Sequence, residues 1–165
     1  MKTVRIKKAV VVGLMAIGMT ALGGCAVADQ NAYIEKFNEG TSAVDTACDQ
    51  FQTDLEALVN DVDNAEEKQK VLDDVDAIKS AFEAIEAIEA PKKFTEAHDK
   101  ISASVEEAKK GCEIYSTVLS GVSSEALSDE ANFDKFLEDI SEGDTHMNNA
   151  TELMQEAVDI MNGDK

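Results

Sequence analysis

His98 is the one imidazole standing in an otherwise apolar seam, between Phe94 and Ile101. Inside a helical bundle such a group can carry protons near neutrality or hold a metal or small ligand. Two roles stay open for it: a ligand-binding or acid–base residue in the interior, or a histidine satisfied by a neighbouring carboxylate or carbonyl. His146 flanks a second seam beside Met147, and its spacing predicts a partly exposed surface position. Cys48 and Cys112 also occupy seam positions, and carboxylates run through the chain, as in Asp73-Asp74-x-Asp76 and Glu138-Asp139-x-x-Glu142-x-Asp144.

These residues do not assemble into a familiar catalytic or metal-binding pattern. Di-iron bundles carry Glu-x-x-His on two helices, but Thr95 and Gly143 stand three residues before the two histidines. A c-type haem needs Cys-x-x-Cys-His, which does not occur. Asp61-x-Asp63 has neither the glycine nor the distal glutamate of an EF-hand loop. Two histidines without a cysteine cluster make a poor zinc set. There is no Gly-x-Ser-x-Gly elbow, and carboxylates on helices normally form a solvated face. The reading is therefore a protein that is not an enzyme, with no metal or other cofactor.

The N-terminal segment is more specific. Lys2, Arg5, Lys7 and Lys8 precede an apolar stretch, Ala9 to Leu22, and no acidic residue appears before Asp29. The stretch is shorter than the roughly 20 residues a membrane span needs and has the layout of an export signal. It closes on Leu22-Gly23-Gly24-Cys25, which resembles the lipobox of bacterial lipoproteins. The resemblance implies removal of residues 1–24, lipidation of Cys25 through a thioether, and a tether of residues 25–28. The protein would then be lipid-anchored to the cell membrane or outer membrane, facing the extracytoplasmic side. Ala26 is not the aspartate associated with inner-membrane retention.

Removing residues 1–24 leaves 141 of 165 residues, enough for one domain, 29–165. The four charges lost are all positive, so the net charge moves from −19 to −23. Every remaining basic residue is a lysine, and no Lys/Arg cluster exists to neutralise a row of phosphates. Nucleic acid is thereby excluded as a partner. An anionic leaflet should also repel the domain it holds. The excess of acid suits cations or basic proteins as partners, or simply keeps an exported domain soluble.

Abundant Ala, Glu and Lys, a single proline and no strand-like alternation predict helices throughout. The seams step by three and four. The first runs Ile34, Phe37, Thr41, Val44, Cys48, Phe51, Leu55, Leu58, Val62, and the second Val71, Val75, Ile78, Phe82, Ile85. A third carries Phe94, His98, Ile101, Val105, Ala108, Cys112, Tyr115, Leu119, Val122, and a fourth Phe136, Ile140, Gly143, Met147, Ala150, Met154, Ala157, Met161. Helices are expected at about 29–62, 64–90, 91–122 and 129–162. Asn64 should cap the second, and Pro91 should open the third. Short connections between such seams predict an all-α, antiparallel up-down four-helix bundle.

In that bundle the first and third helices run parallel. Cys48 and Cys112 then stand within roughly 3 Å of the same height. Two cysteines in an exported chain predict a disulfide, with two small buried thiols as the alternative. The helices carrying them are diagonal, so the pair needs the diagonal to close, and Gly111 and Gly143 at the same level suggest a narrow waist. The methionine face of the last helix reads as core before it reads as an adaptable groove. The function that fits is a non-catalytic bundle that binds or positions an envelope protein, peptide or cell-wall component. A small-ligand or cation-binding protein using the acidic surface or the His98 region is the alternative.

Overall fold

The computed structural model describes residues 28–163. The lipobox with Cys25, and most of the tether, therefore lie outside the described residues. Four helices make the fold: α1 (Ala28–Asn60), α2 (Ala65–Glu86), α3 (Thr95–Ser120) and α4 (Glu130–Asn162). Short 3-10 turns at Lys92–Phe94 and Ala126–Ser128 lead into α3 and α4, and no strand occurs among the described residues.

The ends of these helices follow from local chemistry. The Asn64 side chain accepts the N–H of Glu66 at 3.0 Å and of Glu67 at 3.2 Å, which satisfies two of the donors left open at the start of α2. Asp129 accepts the N–H of Asn132 at 3.0 Å at the start of α4. Gly163 closes α4 with φ at 78°, in the left-handed region where glycine has no side chain to clash. Pro91 departs from its expected place. It is extended, with φ −65° and ψ 151°, and α3 begins only at Thr95. Pro91 disfavours helical geometry at Ala90 and so keeps α2 and α3 from merging, while α2 itself already stops at Glu86 rather than near 90.

Packing joins α1 to α2, α2 to α3 and α3 to α4, the last pair most extensively. Each of these neighbours is antiparallel. Gly40 of α1 sits against Ile85 near the end of α2, and Lys109 of α3 reaches Glu83 and Glu86. Lys100 of α3 pairs with Glu156 of α4 at 2.5 Å. Helices α1 and α3 run parallel on the diagonal and meet through rings. Tyr33 lies 5.6 Å from Phe94, and Phe51 stacks on Tyr115 at the same separation. At the end of the bundle away from residue 28, the Lys68 ammonium donates to the Val122 carbonyl at 2.6 Å, and Asp63 accepts the N–H of Ser124 at 2.8 Å. These bonds hold the two distal connections together.

The four seams are the core. Every seam residue of α2 and α4 is buried, and so are those of α1 and α3 apart from Ile34, Val62 and His98. The buried stripe is wider than the seams, because Tyr33, Val59, Ala97, Ser104, Phe133 and Val158 join it. A helix facing neighbours on two sides buries more than an a/d strip. Met147, Met154 and Met161 are core residues, 2–3 % exposed. Ser104 is fully buried and donates to the Ala150 carbonyl at 2.7 Å, so its hydroxyl carries no desolvation penalty. The waist is real, and it lies between the adjacent helices α3 and α4. A Cβ on Gly111 would stand 3.2 Å from the Gly143 carbonyl oxygen, and one on Gly143 would strike the Tyr115 ring.

Candidate functional site

His98 stands at the end of the bundle where α1 begins, half-buried, with its Nδ1 3.0 Å from the Tyr33 hydroxyl. Tyr33 is 2 % exposed, and burial pushes its hydroxyl up to about 12. Next to this pair a cavity of about 370 Å³ opens between α1 and the α2–α3 connection, lined by Asp29, Tyr33, Lys36, Ile88, Glu89 and Pro91. His98 does not line it. Tyr33 stands between, and its hydrogen bond to His98 arises within the fold. One ring nitrogen of His98 is thus engaged by Tyr33.

Cys48 and Cys112 are both buried and both free thiols, so the expected disulfide is not formed. The level was right. Phe51 and Tyr115, three residues further along each helix, stack on one another, and the charge of Cys112 raises the pKa of Cys48. The two helices that carry them lie on the diagonal of the bundle and touch through ring contacts. Helices α1 and α3 form no extended close backbone interface and meet through large side chains, whereas a disulfide needs Cα atoms roughly 4.4–6.8 Å apart. Desolvation pushes each thiol up to about 12. At neutral pH both are protonated and unreactive.

A polar cluster lies between α3 and α4, centred on Glu107. Glu107 accepts from Lys110 at 2.6 Å and from Asn149 at 3.3 Å, and lies 2.7 Å from Nδ1 of His146. The hydrogen bonds from Lys110, His146 and Asn149 hold the Glu107 carboxyl down at about 2. His146 is partly exposed, as its spacing predicted, with a quarter of its side chain accessible. Beyond it a groove of about 440 Å³ runs between the two helices. Ile114 and Val118 line its apolar part, and Glu113, Asp139, Glu142 and His146 stand around them. Sequence reasoning missed this groove. Ile114 and Val118 are four residues apart and off the Tyr115–Leu119 seam, a second apolar pair that could have pointed to it.

The carboxylate runs separate into several environments. Tyr115 donates to Asp144 at 2.5 Å, and burial raises the Asp144 carboxyl while that hydrogen bond lowers it. Asp74 is pushed up to about 6, first by burial and then by Asp54 alongside it on α1, and its Oδ2 is buried without a hydrogen-bond partner. Among the described residues, no group of three or more His, Cys, Asp or Glu side chains is arranged to hold a metal ion.

The Asp74 environment carries a prediction for stability. A carboxyl raised in the folded state opposes folding once it ionises. The penalty is absent below about pH 4, grows as pH rises toward 6, and is complete above that. Asp74→Asn removes the charge and gives Asp54 a donor. The variant should gain about 1 kcal/mol at pH 8, after allowance for solvent screening of a partly exposed pair. At pH 4 it should match the parent. Urea unfolding at both values checks this, and an equal effect at both would assign the change to packing.

No helix among the described residues is long and apolar enough to cross a membrane. Comparison with protein-family models, with curated proteins and with solved structures yields no match to this chain.

Proposed function

We propose that this protein is a lipid-anchored lipoprotein of the bacterial envelope whose helical bundle binds or positions an envelope protein, peptide or cell-wall component without catalysing a reaction. The observation that carries the reading is the sequence Leu22-Gly23-Gly24-Cys25 placed just ahead of a helical domain, since α1 starts at Ala28. Lipid on Cys25 would hold the bundle by a short tether, with only Ala26 and Val27 between it and the first residue of α1. The end bearing Tyr33, Pro91 and Phe94 would then face the bilayer, with the loops around Asn64 and Ser124 farthest from it. A filled core supports a binding role over a catalytic one, because the grooves open on the outside of the bundle. The alternative remains a small-ligand or cation-binding lipoprotein that uses the acidic surface or the His98 region.

Expression in cells fed a labelled fatty acid tests the anchor. The parent chain should carry the label on an N-terminal peptide starting at Cys25, and Cys25→Ser should abolish labelling entirely. A mature N-terminus elsewhere, or label retained in the variant, overturns it. In-cell crosslinking of the lipidated chain tests the partner. One dominant partner joined through a single face is the expected result, and links only to scattered abundant proteins would defeat the binding role.

A further inference from the structure

We infer that the groove between α3 and α4 docks a short basic amphipathic helix of another protein, its apolar face on Ile114 and Val118 and its lysines or arginines against Glu113 and Glu142. The inference rests on the binding role proposed above and names the chemistry of the partner. Three observations carry it.

The first is the apolar pair. Val118 packs against the core from outside, while Ile114 is only partly buried and is not part of the core cluster. Residues four apart on one helix present a ridge, and a further helix laid along α3 and α4 is the shape that covers such a ridge. The second is the charge around it. Among the described residues Glu113 and Glu142 form no ion pair, and both are exposed. The cations nearby are already engaged, Lys110 by Glu107 at 2.6 Å and Lys135 by Asp139 at 2.8 Å. Lys110 also lines the groove, and Lys135 feels Glu142, yet carboxylates outnumber cations around the apolar pair, the complement of a basic amphipathic helix.

The third observation selects against the obvious alternative. A second copy of this chain would bring its own excess of acid, 34 acidic against 15 basic residues before any processing. Like charges placed across an interface oppose association. A basic partner instead gains on-rate from the field of the whole molecule.

The chain has no tryptophan, so a probe peptide with a single tryptophan reports its own binding. The four helices span Ala28 to Asn162, so the chain from Ala26 onward carries all four, and a cooperative thermal melt checks that it folds before binding is measured. The probe is an 18-residue leucine–lysine helix with one apolar face, beside a scrambled peptide of the same composition. The amphipathic probe should bind saturably and the scrambled one at least about tenfold more weakly. Glu113→Gln with Glu142→Gln should weaken binding roughly five- to tenfold and flatten its salt dependence. Ile114→Asp should weaken it by more than about tenfold. Glu35→Gln with Glu39→Gln, on the exposed face of α1, removes equal charge elsewhere and should change binding less than twofold, a contact outside any interface.

Equal binding of both peptides, or equal effects of the two glutamine pairs, would mean diffuse attraction to an acidic surface and overturn the groove. So would the lack of saturable binding up to about 1 mM peptide, where affinity is already very weak. Lipidation of Cys25 is measured separately, so failure of the groove leaves the anchor reading standing.

Discussion

Gly143→Val should destabilise the bundle by at least about 3 kcal/mol and lower its melting temperature by about 10 °C. A Cβ at this position meets Tyr115 Cε1 at 2.6 Å and Cδ1 at 2.9 Å, closer than side chains pack. The ring has nowhere to go. Phe51 stacks on it at 5.6 Å, and Asp144 holds its hydroxyl at 2.5 Å. Relief then requires α4 to move off α3, which also opens the approach of Gly111 to the Gly143 carbonyl. Gly143→Ala has a compensation of about 1 kcal/mol from better helix propensity, yet should still lose roughly 1–2 kcal/mol to the clash. Gly121→Ala is the control. Its Cβ would meet only carbonyl oxygens at 3.8 Å, so stability should hold or rise slightly. Urea midpoints for the three variants decide the matter, and a Gly143→Ala protein as stable as its parent would show that α3 and α4 do not approach this closely.

The helices and their buried faces were legible because a bundle repeats one contact many times. Each seam needs an apolar residue every three or four positions, so an error at one position is corrected by the next. Reading failed where that repetition stops. At the start of α1, Tyr33 and Ile34 lie four and three residues before Phe37, and both spacings fit a seam. Phe94 decides between them, by offering Tyr33 a ring 5.6 Å away. At Pro91 the seam continues through Phe94, which is buried, although the backbone there is a 3-10 turn. Side-chain periodicity registers burial and is blind to how the turn is made.

The site residues were less legible because their chemistry depends on pairings between helices. His98 acquires its meaning from Tyr33, 65 residues earlier. The cysteines share a level, which residue counting gives, but the diagonal spacing of α1 and α3 depends on the rings between them. The groove needs the register of α4 on α3, which brings Asp139, Glu142 and His146 opposite Ile114 and Val118. The chain alone shows two seams there. It does not show which exposed residues of one helix lie beside which of the other.

Tyr115 is where the second large effect is expected. It is 1 % exposed, and Tyr115→Ala should lose roughly 3–5 kcal/mol, the usual range for truncating a buried aromatic. Tyr115→Phe separates the ring from the hydroxyl. It keeps the stack on Phe51 and removes only the donor to Asp144. Burial already raises the Asp144 carboxyl, and this hydrogen bond is what lowers it again. The Tyr115→Phe loss should therefore be about 1–2 kcal/mol at pH 8, where the carboxylate is ionised. It should be smaller at pH 4, where more of the carboxyl is protonated. A loss independent of pH would mean that solvent already satisfies Asp144. The pair of sites also couples. With the ring gone, a methyl on Gly143 fills vacated space, so Gly143→Ala in the Tyr115→Ala background should become neutral or stabilising by up to about 1 kcal/mol. That change of sign would locate the clash at one ring. A cost for Gly143→Ala that persists without Tyr115 would locate it in the backbone contact with Gly111 instead.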